Sequence, residues 1–319
     1  MHAIQILKDR TLSWAEIATP MAGSGEVLIK VAATAVNRAD LLQRAGNYPP
    51  PPGASHILGL ECAGTIEAVG EGVGRWRPGD QVAVLLPGGG YAEYVAADAR
   101  HCLPVPKGLT LAEAAALPEV FITAYLNLYV EARLKPGESV FLPAGASGVG
   151  TAAIQLCKLS RNLCFVSVGT EAKLKACLEL GAHGGVLHGK DDIRGMLGEN
   201  GVDVILDPVT GNELGDHLSL LHFGGRLVMI GFMAGRETNI DLGRMLIKRL
   251  RLIGSNLRGR TPDEKAALIA NFEEKVWPGF ITGALKPVID KTFPIQEAMA
   301  AHDYIAANKN VGKVVLTVA

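Results

Sequence analysis

Apolar positions recur along this chain in two rhythms. Up to about residue 118 they come in short runs, alternating or nearly continuous, each ended by glycine or proline. Val27-Leu28-Ile29-Lys30-Val31 follows the turn Gly23-Ser24-Gly25-Glu26. Gly64-Thr65-Ile66-Glu67-Ala68-Val69-Gly70 alternates, Asp80 to Leu85 follows Pro78-Gly79, and Tyr91 to Val95 is a further short run. This series predicts a small barrel-like β domain. Helical patterns appear at Leu111–Leu117, stopped by Pro118, and again from Phe121 to Leu134.

Beyond that point strand and helix patterns alternate. Ser139 to Pro143 reads as a buried strand. A glycine-rich turn follows, and then Val149, Ala152, Ala153 and Leu156 recur at helical spacing. Further strands are expected at Leu163–Val168, Gly185–His188, Val202–Asp207, Gly225–Gly231 and Leu250–Gly254. Six strands with intervening helices predict a parallel, doubly wound α/β sheet. Lys313 to Val318 is a strand with no helix after it, expected to return to the first domain. The division expected is 1–118, completed by about 260–319, and 119–259.

The turn Gly145-x-Ser147-x-x-Gly150 matches the dinucleotide fingerprint except that serine stands at the middle glycine. Such a turn aims backbone N–H groups and a helix N-terminus at phosphate. It also serves in other proteins only to pack a helix on a strand. A Walker-type loop is excluded, because Thr151 stands where lysine is needed. At the end of the second strand no acid closes the Val168-Gly169-Thr170 run. Glu171 lies beyond it in a helix-start position, and Lys173 follows one turn on. His188 ends the third strand. Lys173 reads equally as a solvated helix residue and His188 as a loop histidine, but their convergence favours NADP(H) over NAD(H).

Net charge is −1, which gives no global attraction to nucleic acid or an anionic membrane, and aromatic residues are only 5%. The first ten residues lack the apolar core of a signal peptide, and no uncharged run is long enough to span a bilayer. Five scattered cysteines without a CxxC pattern argue for reduced thiols in the cytoplasm. A zinc site needs Cys, His and carboxylate donors at defined positions. Glu61 and Cys62 have no neighbouring histidine, so no metal is expected. The acceptor expected is then one that takes hydride without strong polarisation, a quinone or an activated alkene. Asn37 and Asp40 begin a short helix, where Asn37 reads equally as a cap and as a site residue. The four prolines Pro49–Pro52 stiffen the segment that presents Tyr48.

Asn37-Arg38-Ala39-Asp40-Leu41, Pro50-Pro51-Pro52-Gly53-Ala54, Ile57-Leu58-Gly59-Leu60-Glu61, Leu85 to Gly90, Ala144 to Gly150 and Asn308 to Lys313 together resemble the zinc-independent medium-chain dehydrogenases/reductases. Among these the chain looks like the NADPH:quinone oxidoreductase (zeta-crystallin-like) family, in the subgroup of the tumour-suppressor-inducible quinone oxidoreductase. Leu60 stands where zinc-dependent relatives carry the histidine of a GHE motif. The resemblance implies a GroES-like domain, a Rossmann domain and a homodimer. It implies that Tyr48 and Asn37 orient the quinone and that Thr123 approaches the nicotinamide. Gly145, Ser147, Gly148, Val149 and Gly150 would hold the pyrophosphate, and Gly169, Thr170, Lys173 and His188 the 2′-phosphate. Ile230, Gly231, Phe232 and Met233, with Ser255, Asn256 and Asn308, would complete the cofactor site. An enal or enone reductase and a non-catalytic NADPH-binding protein are the alternative readings. No general acid in a perturbed environment is legible, so the proton is expected from solvent.

Overall fold

The computed structural model describes residues 1–199 and 201–318. The chain divides into two compact units, Met1–Ile122 with Arg258–Ala319, and Thr123–Leu257. The first unit begins with an antiparallel hairpin, β1 (His2–Ile6) and β2 (Leu12–Glu16). There follow β3 (Glu26–Val36), α1 (Arg38–Arg44), β4 (Glu61–Val69), β5 (Gln81–Leu85), β6 (Tyr94–Asp98) and β7 (Cys102–Pro104). Then come α2 (Leu111–Ala114) and α3 (Pro118–Tyr125), the latter carrying the chain into the second unit.

The second unit runs β8 (Ser139–Pro143), α4 (Gly148–Leu159), β9 (Leu163–Val168), α5 (Glu171–Leu180), β10 (Gly184–Leu187), α6 (Ile193–Leu197) and β11 (Val202–Asp207). It continues through α7 (Leu214–Ser219), β12 (Leu221–Met229), α8 (Leu242–Lys248) and β13 (Arg251–Gly254). The chain then returns to the first unit with α9 (Pro262–Lys275), α10 (Pro278–Ile281), β14 (Ile289–Pro294), α11 (Ala298–Ala306) and β15 (Lys313–Thr317).

In the first unit a seven-stranded sheet has the order β14-β15-β3-β4-β5-β7, with β6 also paired to β3. The final strand, β15, lies antiparallel to β3 and parallel to β14. Alternation along β3 sends Val27, Ile29 and Val31 into one core with Ile66, Val82, Val84 and Val95. Farther along, Ala33 and Ala35 join Ala63 and Ala83 in a floor of small side chains. Ala114, Ala115 and Ala116 pack against that floor, so a helix sits close to the sheet.

The strand expected at Tyr91–Val95 lies three residues later. Tyr91 is wholly buried instead, its backbone N–H donating to Leu58 O at 2.9 Å. The expected Phe121–Leu134 helix is also modified. After Tyr125 the chain widens into a π-helix over Leu126–Glu131, and the Asn127 amide donates to the Thr123 carbonyl at 2.7 Å. By length and composition the stretch Leu111–Glu131 is apolar enough to cross a membrane, and most of it is buried.

The second unit is a six-stranded parallel sheet of order β10-β9-β8-β11-β12-β13. Numbered along the chain this is 3-2-1-4-5-6, the doubly wound order with its switch between β8 and β11. Because every strand runs the same way, the segments after β8, β9, β11, β12 and β13 share one edge. Parallel strands are covered on both faces, which explains their nearly continuous apolar sequences.

Candidate active site

At the switch point the backbone turns from β8 into α4 through Ala144, whose φ is +58°. Two glycines are fixed by lack of space. A Cβ on Gly145 would lie 2.6 Å from the Val166 side chain, and one on Gly150 would lie 2.3 Å from the Gly145 carbonyl oxygen. The turn therefore packs against β9 and closes on itself. Ser147, the residue in place of the usual middle glycine, is the N-cap of α4. Its hydroxyl oxygen accepts from the Gly150 N–H at 3.1 Å. Its intrusion thus has a structural use, and the hydroxyl hydrogen remains for an outside acceptor. The next N–H groups, of Gly148 and Val149, have no hydrogen-bond partner among the described residues.

The neighbouring strand ends line the same edge. Gly169 has open space around it, and Thr170 caps α5 by accepting from Lys173 N–H at 3.3 Å. His188 follows β10, with its Nε2 3.6 Å from a Glu213 carboxylate oxygen. The Ile230–Met233 segment is laced to the end of β11. Ile230 N–H donates to Asp207 O, Met233 N–H to Pro208 O and the Thr210 hydroxyl to Gly231 O. Gly231 is needed there, because a Cβ would approach Pro208 O to 2.7 Å. Phe232 and Met233 are exposed. Ser255 follows β13; its hydroxyl is buried and has no partner among the described residues. Asn256 lies beside it in sequence, and Thr123 is buried in the first turns of this unit. These features suit a dinucleotide: a helix N-terminus with unspent donors at a switch point, and a buried hydroxyl without a partner.

Sequence reasoning passed over the side chains that order this edge. Buried Asp207 accepts from the N–H groups of Val209 and Thr210 and pairs with His217 at 2.8 Å. His217 lies in turn 3.7 Å from Glu213. This chain of polar contacts shapes the loop after β11. An Asp at a strand end and a His in a short helix carry no distinguishing spacing in the sequence.

In the first unit the other candidates sit on a buried ionic network. Lys313, on β15, donates to Glu61 at 2.8 Å, to Asn37 Oδ1 at 2.6 Å and to the Val36 carbonyl at 2.9 Å. Asn37 donates its amide hydrogens to Glu61 Oε1 at 3.0 Å and to Ala35 O at 3.2 Å. The second Glu61 oxygen accepts the Glu119 backbone N–H at 2.8 Å. The Asn37 amide is thus spent within the network, and the residue also stands as N-cap of α1. Its own N–H donates to Asp40 Oδ2 at 2.8 Å, and Gly59 N–H donates to Asp40 Oδ1 at 2.9 Å. Burial nevertheless pushes the Asp40 carboxyl up to about 6, only partly offset by those two donors.

Tyr48 is half-buried beneath the Arg258 guanidinium, whose carbon lies 5.1 Å from the ring centre. Arg258 is held by Gln43 Oε1 at 2.7 Å and Pro87 O at 2.8 Å. Its Nη1 is buried and has no partner among the described residues. Burial and the nearby Glu119 raise the Tyr48 hydroxyl, and Arg258 opposes them. Glu119 itself is pushed up to about 8, first by burial and then by the Glu61 carboxylate. The expectation that no acid here has a perturbed environment is therefore corrected: Glu119 is one. Asn308 has a left-handed backbone and accepts from Arg38 at 2.5 Å. A cavity of about 1360 Å³ in this unit is lined by Pro51–Ser55, Pro87–Gly89 and Arg258, but not by Tyr48, Asn37 or Glu119.

Residues 23–107 match the alcohol dehydrogenase GroES-like domain, and residues 148–274 the zinc-binding dehydrogenase model. The residues present do not fit the zinc of the second description. Both Glu61 oxygens are engaged, Cys62 is buried with its thiol pushed well up, and no three His, Cys, Asp or Glu side chains gather as ligands among the described residues. Quinone oxidoreductase of Rattus norvegicus is 32% identical over 94% of this chain and 92% of its own. Synaptic vesicle membrane protein VAT-1 homolog of Danio rerio is 32% identical over 93% of this chain, which spans 65% of that longer protein. The quinone oxidoreductase of Thermus thermophilus, solved also in complex with NADPH, superposes with a TM-score of 0.84 at 33% identity, covering 99% of this chain and 100% of that one. On this likeness and this architecture, the chain belongs to the quinone oxidoreductase, zeta-crystallin-like family of medium-chain dehydrogenases/reductases.

Proposed function

We propose that this protein is an NADPH-dependent quinone reductase. The observation that carries the reading is the turn after β8, which offers the unspent N–H groups of Gly148 and Val149 and the Ser147 hydroxyl at the switch point of a parallel sheet. When bound, the dinucleotide supplies the hydride. Gly145 to Gly150 hold its pyrophosphate, and Gly169, Thr170, Lys173 and His188 serve the phosphorylated ribose. Lys173 is the permanent cation of that set, and His188 stands beside Glu213. Thr123, Ile230 to Met233, Ser255 and Asn256 complete the binding surface that the second unit offers.

On the acceptor side Tyr48 is the hydrogen-bond donor. Asn37 is a positioning residue, since its amide is committed to Glu61 and Lys313. The chain contributes orientation and exclusion of water, the terms through which a held acceptor reacts faster than a free one. Tyr48→Phe should lower quinone turnover at least tenfold, on the order of one charge-assisted hydrogen bond. NADPH affinity should stay within twofold of wild type. Turnover equal to wild type would remove Tyr48 from the reaction. An acceptor series that includes an α,β-unsaturated ketone separates this reading from an enone reductase.

We also propose a homodimer joined along the second unit's sheet. β13 is an edge strand of that sheet, and α8 just before it exposes Leu242, Leu246 and Ile247, each more than two-thirds accessible. Sedimentation should give twice the chain mass, and Leu246→Asp should return it to one. The five cysteines, free and buried, suit the reducing environment of the cytoplasm.

A further inference from the structure

We propose that Glu119 is the proton donor of the reduction, delivering from its carboxylic acid the proton that the hydride does not bring. This rests on the quinone reductase reading and deepens it. Reducing a quinone to a quinol takes one hydride and one proton. Addition of the hydride to the quinone leaves a quinolate anion. The O–H bond of Glu119 then breaks, a new O–H bond forms on the quinolate oxygen, and the neutral quinol results. The carboxylate left behind regains a proton from solvent, so each turnover consumes one.

The placement of Glu119 follows from its neighbours. It is the second residue of α3, directly after Pro118, where a helix N-terminus would ordinarily favour a carboxylate. Here its backbone N–H is spent on Glu61. The charged and titratable groups around its carboxyl come from every element nearby. Glu61 on β4 and Asp40 on α1 disfavour its ionisation, while Lys313 on β15 and Arg258 before α9 favour it. Tyr48, after α1, and Lys265, on α9, are within its electrostatic reach. Burial and the fixed Glu61 carboxylate prevail, so the group is an acid at neutral pH and is still able to give its proton up. It is half-buried rather than sealed.

A second observation points independently to an occupant at this place. Arg258 is 6% exposed and its Nη1 has no partner among the described residues, although the same guanidinium covers the Tyr48 ring. A buried guanidinium N–H without an acceptor is costly unless something else accepts from it. An anionic quinolate oxygen between Tyr48, Arg258 and Glu119 would supply that acceptor. The same cation would steady the Glu119 carboxylate until it is reprotonated.

The test joins infrared spectroscopy to kinetics. In wild-type protein without cofactor, the carbonyl band of a protonated carboxylic acid should be present at pH 7 and titrate away near pH 8. Glu119→Gln, which keeps the shape, should lack it. Quinone turnover of wild type should fall as pH rises through about 8, because the folded protein then loses the proton it must deliver. Glu119→Gln should be about 100-fold slower, in the range found for a positioned general acid, without that alkaline limb, and with NADPH affinity unchanged. Glu119→Asp should restore part of the rate and the limb. A variant that turns quinone over at the wild-type rate with the wild-type limb would overturn the assignment while leaving quinone reduction standing. So would a wild-type band that is missing at pH 7, a measurement that needs no variant to fold. Wild-type protein that binds NADPH, shows the band and reduces no quinone would overturn the proposed function, and the proton-donor role with it.

Discussion

Lys313→Met should cost the protein about 3–5 kcal/mol, the range for removing one partner of a buried ion pair. The lysine is 3% exposed and Glu61 is not exposed at all, so neither charge has water to fall back on. The ammonium has three acceptors, on Glu61, Asn37 and the Val36 carbonyl, one for each of its hydrogens. Methionine fills a similar volume but leaves the Glu61 carboxylate facing only the Asn37 amide and the Glu119 N–H. The same contacts tie β15, at the end of the chain, to the β3–α1 junction and to β4. Loss of Lys313 therefore loosens the strand order of the first unit as well as its electrostatics. Urea unfolding followed by tryptophan fluorescence gives the value. Glu61→Gln combined with Lys313→Met should recover more than half of the loss, because the stranded charge is gone. A single-variant loss below about 1 kcal/mol would show that water reaches the pair.

Gly150→Val should abolish cofactor binding while the first unit keeps its fold. Even the Cβ would lie 2.3 Å from the Gly145 carbonyl oxygen and 2.8 Å from that of Ala144. Neither is a flexible side-chain end, so the backbone must move. It moves at the turn proposed to hold the pyrophosphate, and displacement of a positioned group by about 1 Å costs on the order of 100-fold. NADPH titration by its own fluorescence should show affinity weakened at least that much. Binding within threefold of wild type would mean that the dinucleotide does not use this turn.

The second unit was legible because its signals are local. The run Ser139 to Pro143, the glycine spacing and the helical repeat from Val149 each mark their element, and the alternation of strands with helices marks a parallel, doubly wound sheet; its 3-2-1-4-5-6 order is seen only in the structure. Ser147 departs from the fingerprint; its use as a cap depends on a contact with Gly150 that a spacing rule does not describe. In the first unit, strands were legible and partners were not. Tyr91 has the residue pattern of a strand start, yet its ring is buried and its hydroxyl lies 3.2 Å from His302, 211 residues away in sequence. Lys313 and Glu61 are 252 positions apart, and nothing local marks them as a pair. Glu119 after Pro118 is the ordinary acid of a first helical turn. Only the fold reveals that its N–H is taken and that Glu61 stands beside it. Arg258 carries no local mark in the sequence, and it is the tertiary structure that buries it over Tyr48.

The most direct measurement is wild-type protein mixed with NADPH and a quinone, following cofactor oxidation and quinol formation together. The account predicts one quinol for each NADPH consumed, with NADPH favoured over NADH. Tight NADPH binding with no oxidation by any member of a quinone series would contradict it.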